Sequence, residues 1–196
     1  MSTPFTQNRV LLSLRTNSNT CLAVAAALFA ALALLGSGGA SSALAAGPCD
    51  ERDSLTLRNA NPPTELVVAL SAPYDTNKKR PIMWSYWGGR NQRWCEISVA
   101  NTNNTQVEYR NLASGKCLTA AGPAKNGTPV NQQTCIGSTY QRWAGRDPFK
   151  IWEPIKNIAT RGCLAVIGTT AKPGALLQIW SCGSGSNQRW AYGYGQ

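Results

Sequence analysis

The 196-residue chain contains no histidine. Histidine is the commonest general base near neutral pH and orients most serine and cysteine nucleophiles. Without it, hydrolysis would fall to paired carboxylates or an unusual lysine. Acidic residues are also scarce, nine against nineteen basic ones. Three of the nine crowd into Asp50-Glu51-Asp53, and the other six are scattered with no pairing of glycosidase type. There is no Cys-x-x-Cys pair, so metal ligation has neither histidine nor thiol spacing to work with. Outside the first 46 residues no window sustains a helical period. These absences point to a β-rich binding protein without catalytic activity, metal or cofactor.

The first 46 residues have a targeting pattern. Arg9 and Arg15 lie in a polar leader, an apolar run of 15 residues follows from Cys21 to Leu35, and small residues lead to Ala43-Leu44-Ala45-Ala46. A basic start, a short apolar core and an Ala-x-Ala site make a secretory signal peptide. The run is shorter than the roughly 20 residues of a membrane-spanning helix, so no transmembrane segment is expected after cleavage. The remainder, residues 47–196, has the size of one domain. Six cysteines stay in it, an even number that in an exported chain reads as disulfides, with 15 possible connectivities. Loss of Arg9 and Arg15 leaves a net charge of about +8, with one dense cluster at Lys78-Lys79-Arg80. That charge suits solubility and attraction to anionic glycans or surfaces; nucleic acid is not expected without a recognition helix.

An internal repeat organises the rest. Gln92-Arg93-Trp94, Gln141-Arg142-Trp143 and Gln188-Arg189-Trp190 recur at spacings of 49 and 47 residues. Six positions before the Gln lies Tyr86, Cys135 or Cys182, and Cys117 and Cys163 open the second and third copies, each followed by Leu. Asn111 and Asn157 precede those opening cysteines by six, and the first copy places Leu66 at the opening position. Short apolar or branched runs alternate with turn clusters such as Lys125-Asn126-Gly127-Thr128-Pro129, the texture of short strands. The repeats span about 54–98, 106–147 and 153–192 and fit a closed all-β barrel.

Three Gln-x-Trp triplets in register with Cys-Leu…Cys hairpins resemble the ricin B-type lectin domain family. The resemblance implies a β-trefoil of three pseudo-symmetric repeats and about twelve short strands. In it, Trp94, Trp143 and Trp190 would meet in a shared core, with Gln92 and Gln141 buried beside them on main-chain groups. Repeat logic then selects three disulfides: Cys117–Cys135, Cys163–Cys182 and, from the remaining pair, Cys49–Cys95.

The same resemblance places sugar sites away from the core triplets. A competent repeat carries Asp two residues after the opening Cys. Gln and an aromatic stand four and two before the closing Cys, and Asn stands just before Gln-x-Trp. The third repeat keeps Gln178, Trp180 and Asn187, with Gln188 adjacent, but has Ala165 for the Asp. The first keeps Trp84 and Asn91, with Val68 for the Asp and Ile82 for the amide; the second has Thr119, Asn131 and Gln133 and no aromatic platform. The expectation is a secreted carbohydrate-binding module whose partner is a glycan or glycoconjugate, with the third repeat as its best-preserved pocket. The alternative is a degenerate trefoil that binds protein, as an inhibitor or a toxin-associated subunit, through Trp84, Tyr86 and Trp87.

Overall fold

A computed structural model describes residues 49–61, 66–145, 147, 149–168 and 170–194. The leader and its cleavage region, Cys21 included, lie outside the described residues. Among the described residues, eleven strands form one antiparallel sheet: β1 (Ser54–Asn59), β2 (Leu66–Ala69), β3 (Ile82–Ser85), β4 (Trp94–Ser98), β5 (Gln106–Asn111), β6 (Cys117–Ala120), β7 (Thr128–Gln133), β8 (Arg142–Ala144), β9 (Cys163–Val166), β10 (Leu177–Trp180) and β11 (Trp190–Tyr194). Among the described residues, the only helical pieces are three-residue 3₁₀ turns just before each core tryptophan.

Pairing follows the repeat. β1 pairs β4, β4 pairs β5, β5 pairs β8, and β11 returns to β1. Isolated bridges Trp143–Asn157 and Glu153–Trp190 fill the remaining side of this barrel. Three hairpins, β2–β3, β6–β7 and β9–β10, stand on it. The result is an all-β trefoil.

Residues 153–157 are the expected twelfth strand, reduced here to bridges. They occupy the register that Leu55–Asn59 and Val107–Asn111 hold in the other repeats. Pro154 explains the difference, because it has no N–H to donate to a ladder. At the position of Leu55 and Val107 stands Glu153, buried but accepting the Asp147 N–H at 2.9 and 3.1 Å.

Threefold symmetry extends to single hydrogen bonds. Trp94, Trp143 and Trp190 are fully buried, and their indole N–H groups donate to the carbonyls of Val68, Leu118 and Leu164 at 3.0, 3.1 and 2.9 Å. A second set joins the repeats to one another. Asn59 donates to Asn187 and Arg189, Asn111 to Asn91 and Arg93, and Asn157 to Tyr140 and Arg142, always to main-chain oxygens. Each asparagine therefore holds the C-terminal end of the preceding repeat. The three disulfides are Cys49–Cys95, Cys117–Cys135 and Cys163–Cys182.

Candidate functional site

The indole bonds set the true register between repeats and correct one expectation. Val68 takes the role of Leu118 and Leu164, so Val67 is the counterpart of Cys117 and Cys163 rather than Leu66. Val67 also pairs Arg58 as Cys117 pairs Arg110. Two extra residues between Asn59 and the hairpin shift the first copy, and there is no cysteine to mark the place. The residue in the Asp position is consequently Ala69, not Val68. Ala69, Thr119 and Ala165 all lack a carboxylate, and all three are buried.

The aromatic platforms are where the hairpin geometry puts them. Val67 faces Trp84, Cys117 faces Gln133 and Cys163 faces Trp180 across their hairpins. Trp84 and Trp180 are 44% and 42% exposed, in contrast to the fully buried core tryptophans. Gln178 lies two residues before Trp180 on β10, half-buried, and among the described residues its side-chain amide has no hydrogen-bond partner.

The residues around the triplets are largely committed to the fold. Gln188 accepts from Gly183 N–H at 2.7 Å and donates to Ser181 carbonyl at 2.9 Å, and it is buried. Gln92 makes the same pair of bonds with Trp87 and Ser85, and Gln141 with Ile136 and Thr134. These glutamines brace the loop that follows each hairpin, so Gln188 offers neither end of its amide to a ligand. Asn187 donates its side-chain N–H to Val166 and Asn91 donates to Leu70. Asn187 stays half-buried, with no hydrogen bond on Oδ1 among the described residues, while Asn91 is 7% exposed. In the first repeat, Trp87 packs so closely over Gly89 that a Cβ there would meet its ring and the Asn91 side chain. The first-repeat site is thus closed around Asn91, while Trp84 and Trp87 remain exposed and Tyr86 is half-buried.

The second repeat holds what the sequence motif did not reveal. A cavity of about 400 Å³ is lined by Thr119, Gln133, Ile136, Ser138 and Tyr140, among others. Tyr140 fills the position of Asn91 and Asn187 and is 41% exposed, and Ile136 is exposed too. The pocket that lacks an aromatic at Gln133 therefore has Tyr140 among its lining residues. Its only sequence signal was a Tyr where the other repeats have Asn. Thr119 donates to the Cys117 carbonyl and accepts from Gln141, and Gln133 donates to Asn131, so polar groups line one side.

Among the described residues no cluster of three potential metal ligands occurs, and no helix is long and apolar enough to cross a membrane. What the Gln178–Trp180 and Tyr140 hairpin sites can do is present aromatic rings beside uncharged amide and hydroxyl groups. That chemistry packs apolar ring faces and hydrogen-bonds hydroxyls without ionising anything.

The fold and these hairpin sites define a β-trefoil binding module. Residues 105–196 match the family described as the ricin-type beta-trefoil lectin domain. That match takes in the second and third repeats, and the first completes the trefoil with the same hydrogen-bond pattern. No curated protein sequence is significantly similar to the chain. Solved structures are. A designed threefold-symmetric protein, ThreeFoil, is 21% identical with a TM-score of 0.65, covering 72% of this chain and 98% of its own. The Macrolepiota procera ricin B-like lectin in complex with lactose is 22% identical with a TM-score of 0.58, covering 76% of this chain and 99% of its own. An exo-beta-1,3-galactanase from Clostridium thermocellum is 21% identical with a TM-score of 0.67; 76% of this chain aligns to only 31% of that enzyme.

Proposed function

We propose that this is an exported, non-catalytic carbohydrate-binding module. The single observation that carries the reading is the half-exposed Trp180, flanked on its strand by the unpartnered Gln178 amide at the family's sugar-stacking position. Asn187 Oδ1 supplies an acceptor in the same repeat. The cavity at Tyr140 gives a second subsite, with Gln133 and Thr119 as its polar wall. Three disulfides support export, since such bonds persist in oxidising compartments. The lack of histidine and of a carboxylate pair supports binding without catalysis. A glycan array probed with wild type and Trp180→Ala tests the reading: binding lost in the variant supports it, and no glycan bound by wild type removes it.

A second reading, recognition of a protein, is favoured by Trp84 and Trp87, which lie 44% and 63% exposed within four residues. Paired surface aromatics of this kind are enriched where proteins meet. Copurification of one stoichiometric partner that is lost in Trp87→Ala would favour it over glycan binding.

A further inference from the structure

A cleft of about 350 Å³ opens between the second and third repeats, walled by Lys125 and Asn126 on one side and Thr160, Arg161 and Gly162 on the other. Trp180 and Ser181 also line it. Its geometry is fixed. Asn126 Oδ1 accepts from the Ser181 N–H at 2.6 Å and its hydroxyl at 2.9 Å, and the Gly127 N–H donates to Ile179 at 2.9 Å. The cleft has a counterpart between the first and second repeats, where Asn77 Oδ1 accepts from the Thr134 N–H and hydroxyl in the same way.

The two clefts differ in what they present. In the first–second cleft, Thr76, Lys78, Gly115 and Gln133 occupy the positions that Lys125, Gly127, Arg161 and Trp180 hold in the second–third. Arg161 is the telling residue. It adopts φ 57°, a left-handed backbone, at the place where Gly115 has φ 67°. Both donate the same N–H, Arg161 to Asn157 and Gly115 to Asn111. Glycine takes this conformation without penalty and arginine does not. Turn geometry therefore gains nothing from arginine here. Among the described residues neither Lys125 nor Arg161 is ion-paired to an acid, and no carboxylate lines the cleft.

We propose that this cleft binds an acidic saccharide, a sugar bearing a carboxylate or sulfate. The anion sits between Lys125 and Arg161, and the ring packs on Trp180. Arginine's planar donors suit either oxyanion, and lysine adds a point charge. The inference rests on Trp180 as a sugar platform. It differs from that reading in demanding a charged ligand.

The test is calorimetric titration of the purified protein with glucuronate, N-acetylglucosamine 6-sulfate, their neutral parents glucose and N-acetylglucosamine, and inorganic sulfate. Either acidic sugar should bind at least about tenfold more tightly than its neutral parent, the scale of one charge-assisted hydrogen bond. Whichever of the two binds identifies the anion. The preference should weaken with added salt and disappear in Lys125→Ala and in Arg161→Gly. Arg161→Gly also separates ligand from fold: its melting midpoint should hold or rise by about 2–4 °C as strain is removed. The proposal is overturned if acidic and neutral sugars bind alike, if the preference survives both substitutions, or if bare sulfate binds as well as the sulfated sugar. Neutral sugars bound through Trp180 with no acidic preference would sink this inference alone. Failure of every sugar, on the array as well, would sink the carbohydrate reading with it.

Discussion

The side-chain nitrogen of Asn111 lies 3.2 Å from the main-chain oxygen of Arg93, so the second repeat holds the end of the first. The same side chain donates to Asn91 and accepts from Ala113 and Ser114, and it is fully buried. Asn111→Ala removes four hydrogen bonds and leaves main-chain groups unpaired, a cost of about 3 kcal/mol at net bond values. Gln133→Ala, which removes a half-buried amide bonded to one side chain, should cost less than about 1 kcal/mol. Urea denaturation of the two variants measures both. Equal midpoints would deny Asn111 its role between repeats.

The core tryptophans are donors as well as bulk. Trp143→Phe keeps most of the apolar volume but leaves the Leu118 carbonyl buried without its 3.1 Å partner. The expected loss is about 2–3 kcal/mol, against about 3–5 for Trp143→Ala. Threefold equivalence makes the same ranking hold at Trp94 and Trp190. A Phe variant as stable as wild type would show that the indole bond contributes nothing.

How much of this was legible in the residue string differs from feature to feature. Gln-x-Trp was legible because three identical side chains make three identical sets of bonds, so selection on one bond pattern left one spelling. The opening position of the first repeat was not, since Leu66, Val67 and Val68 are all buried aliphatics, told apart by the Trp94 bond to Val68 and the pairing of Val67 with Arg58. The missing twelfth strand was foreshadowed by Pro154, whose effect on a barrel strand depends on pairing partners in other repeats. Tyr140 was hidden because its counterparts are asparagines, so a motif that seeks asparagine passes over a ring. The cleft at Lys125 and Arg161 was invisible because its walls belong to different repeats, and reading each repeat by itself never brings them together.

Tyr109 gives the fold a signature at high pH. Its phenol is fully buried, 3.1 Å from the Tyr192 hydroxyl, and burial first, then the Tyr192 neighbour, hold its pKa well above the ordinary value near 10. The unfolded chain therefore releases this proton at a lower pH than the folded one. Its contribution is neutral below about pH 10 and increasingly destabilising above it, by up to about 1.4 kcal/mol per pH unit. Tyr109→Phe should flatten the alkaline fall in unfolding free energy by one proton. An unchanged slope would mean that Tyr109 titrates normally in the folded state.

Reduction should loosen the third repeat. Cys163–Cys182 closes a loop of about 20 residues, worth roughly 3 kcal/mol in chain entropy. A Cys163→Ala, Cys182→Ala double variant should unfold at correspondingly lower urea and lose glycan binding at Trp180 before it loses the core. Hydrogen exchange resolves the order: early exposure of β9–β10 is expected, and uniform loss across all three repeats would contradict it.

Glycan recognition by the third repeat is the claim on which function turns. Array binding should be compared among wild type, Trp180→Ala and Trp143→Phe after each variant is shown to be folded. Wild type and Trp143→Phe are expected to bind the same glycans, with Trp180→Ala losing at least about tenfold in affinity, the scale of a lost aromatic stacking contact. Glycan binding that is undiminished in Trp180→Ala, or absent from wild type, would contradict it.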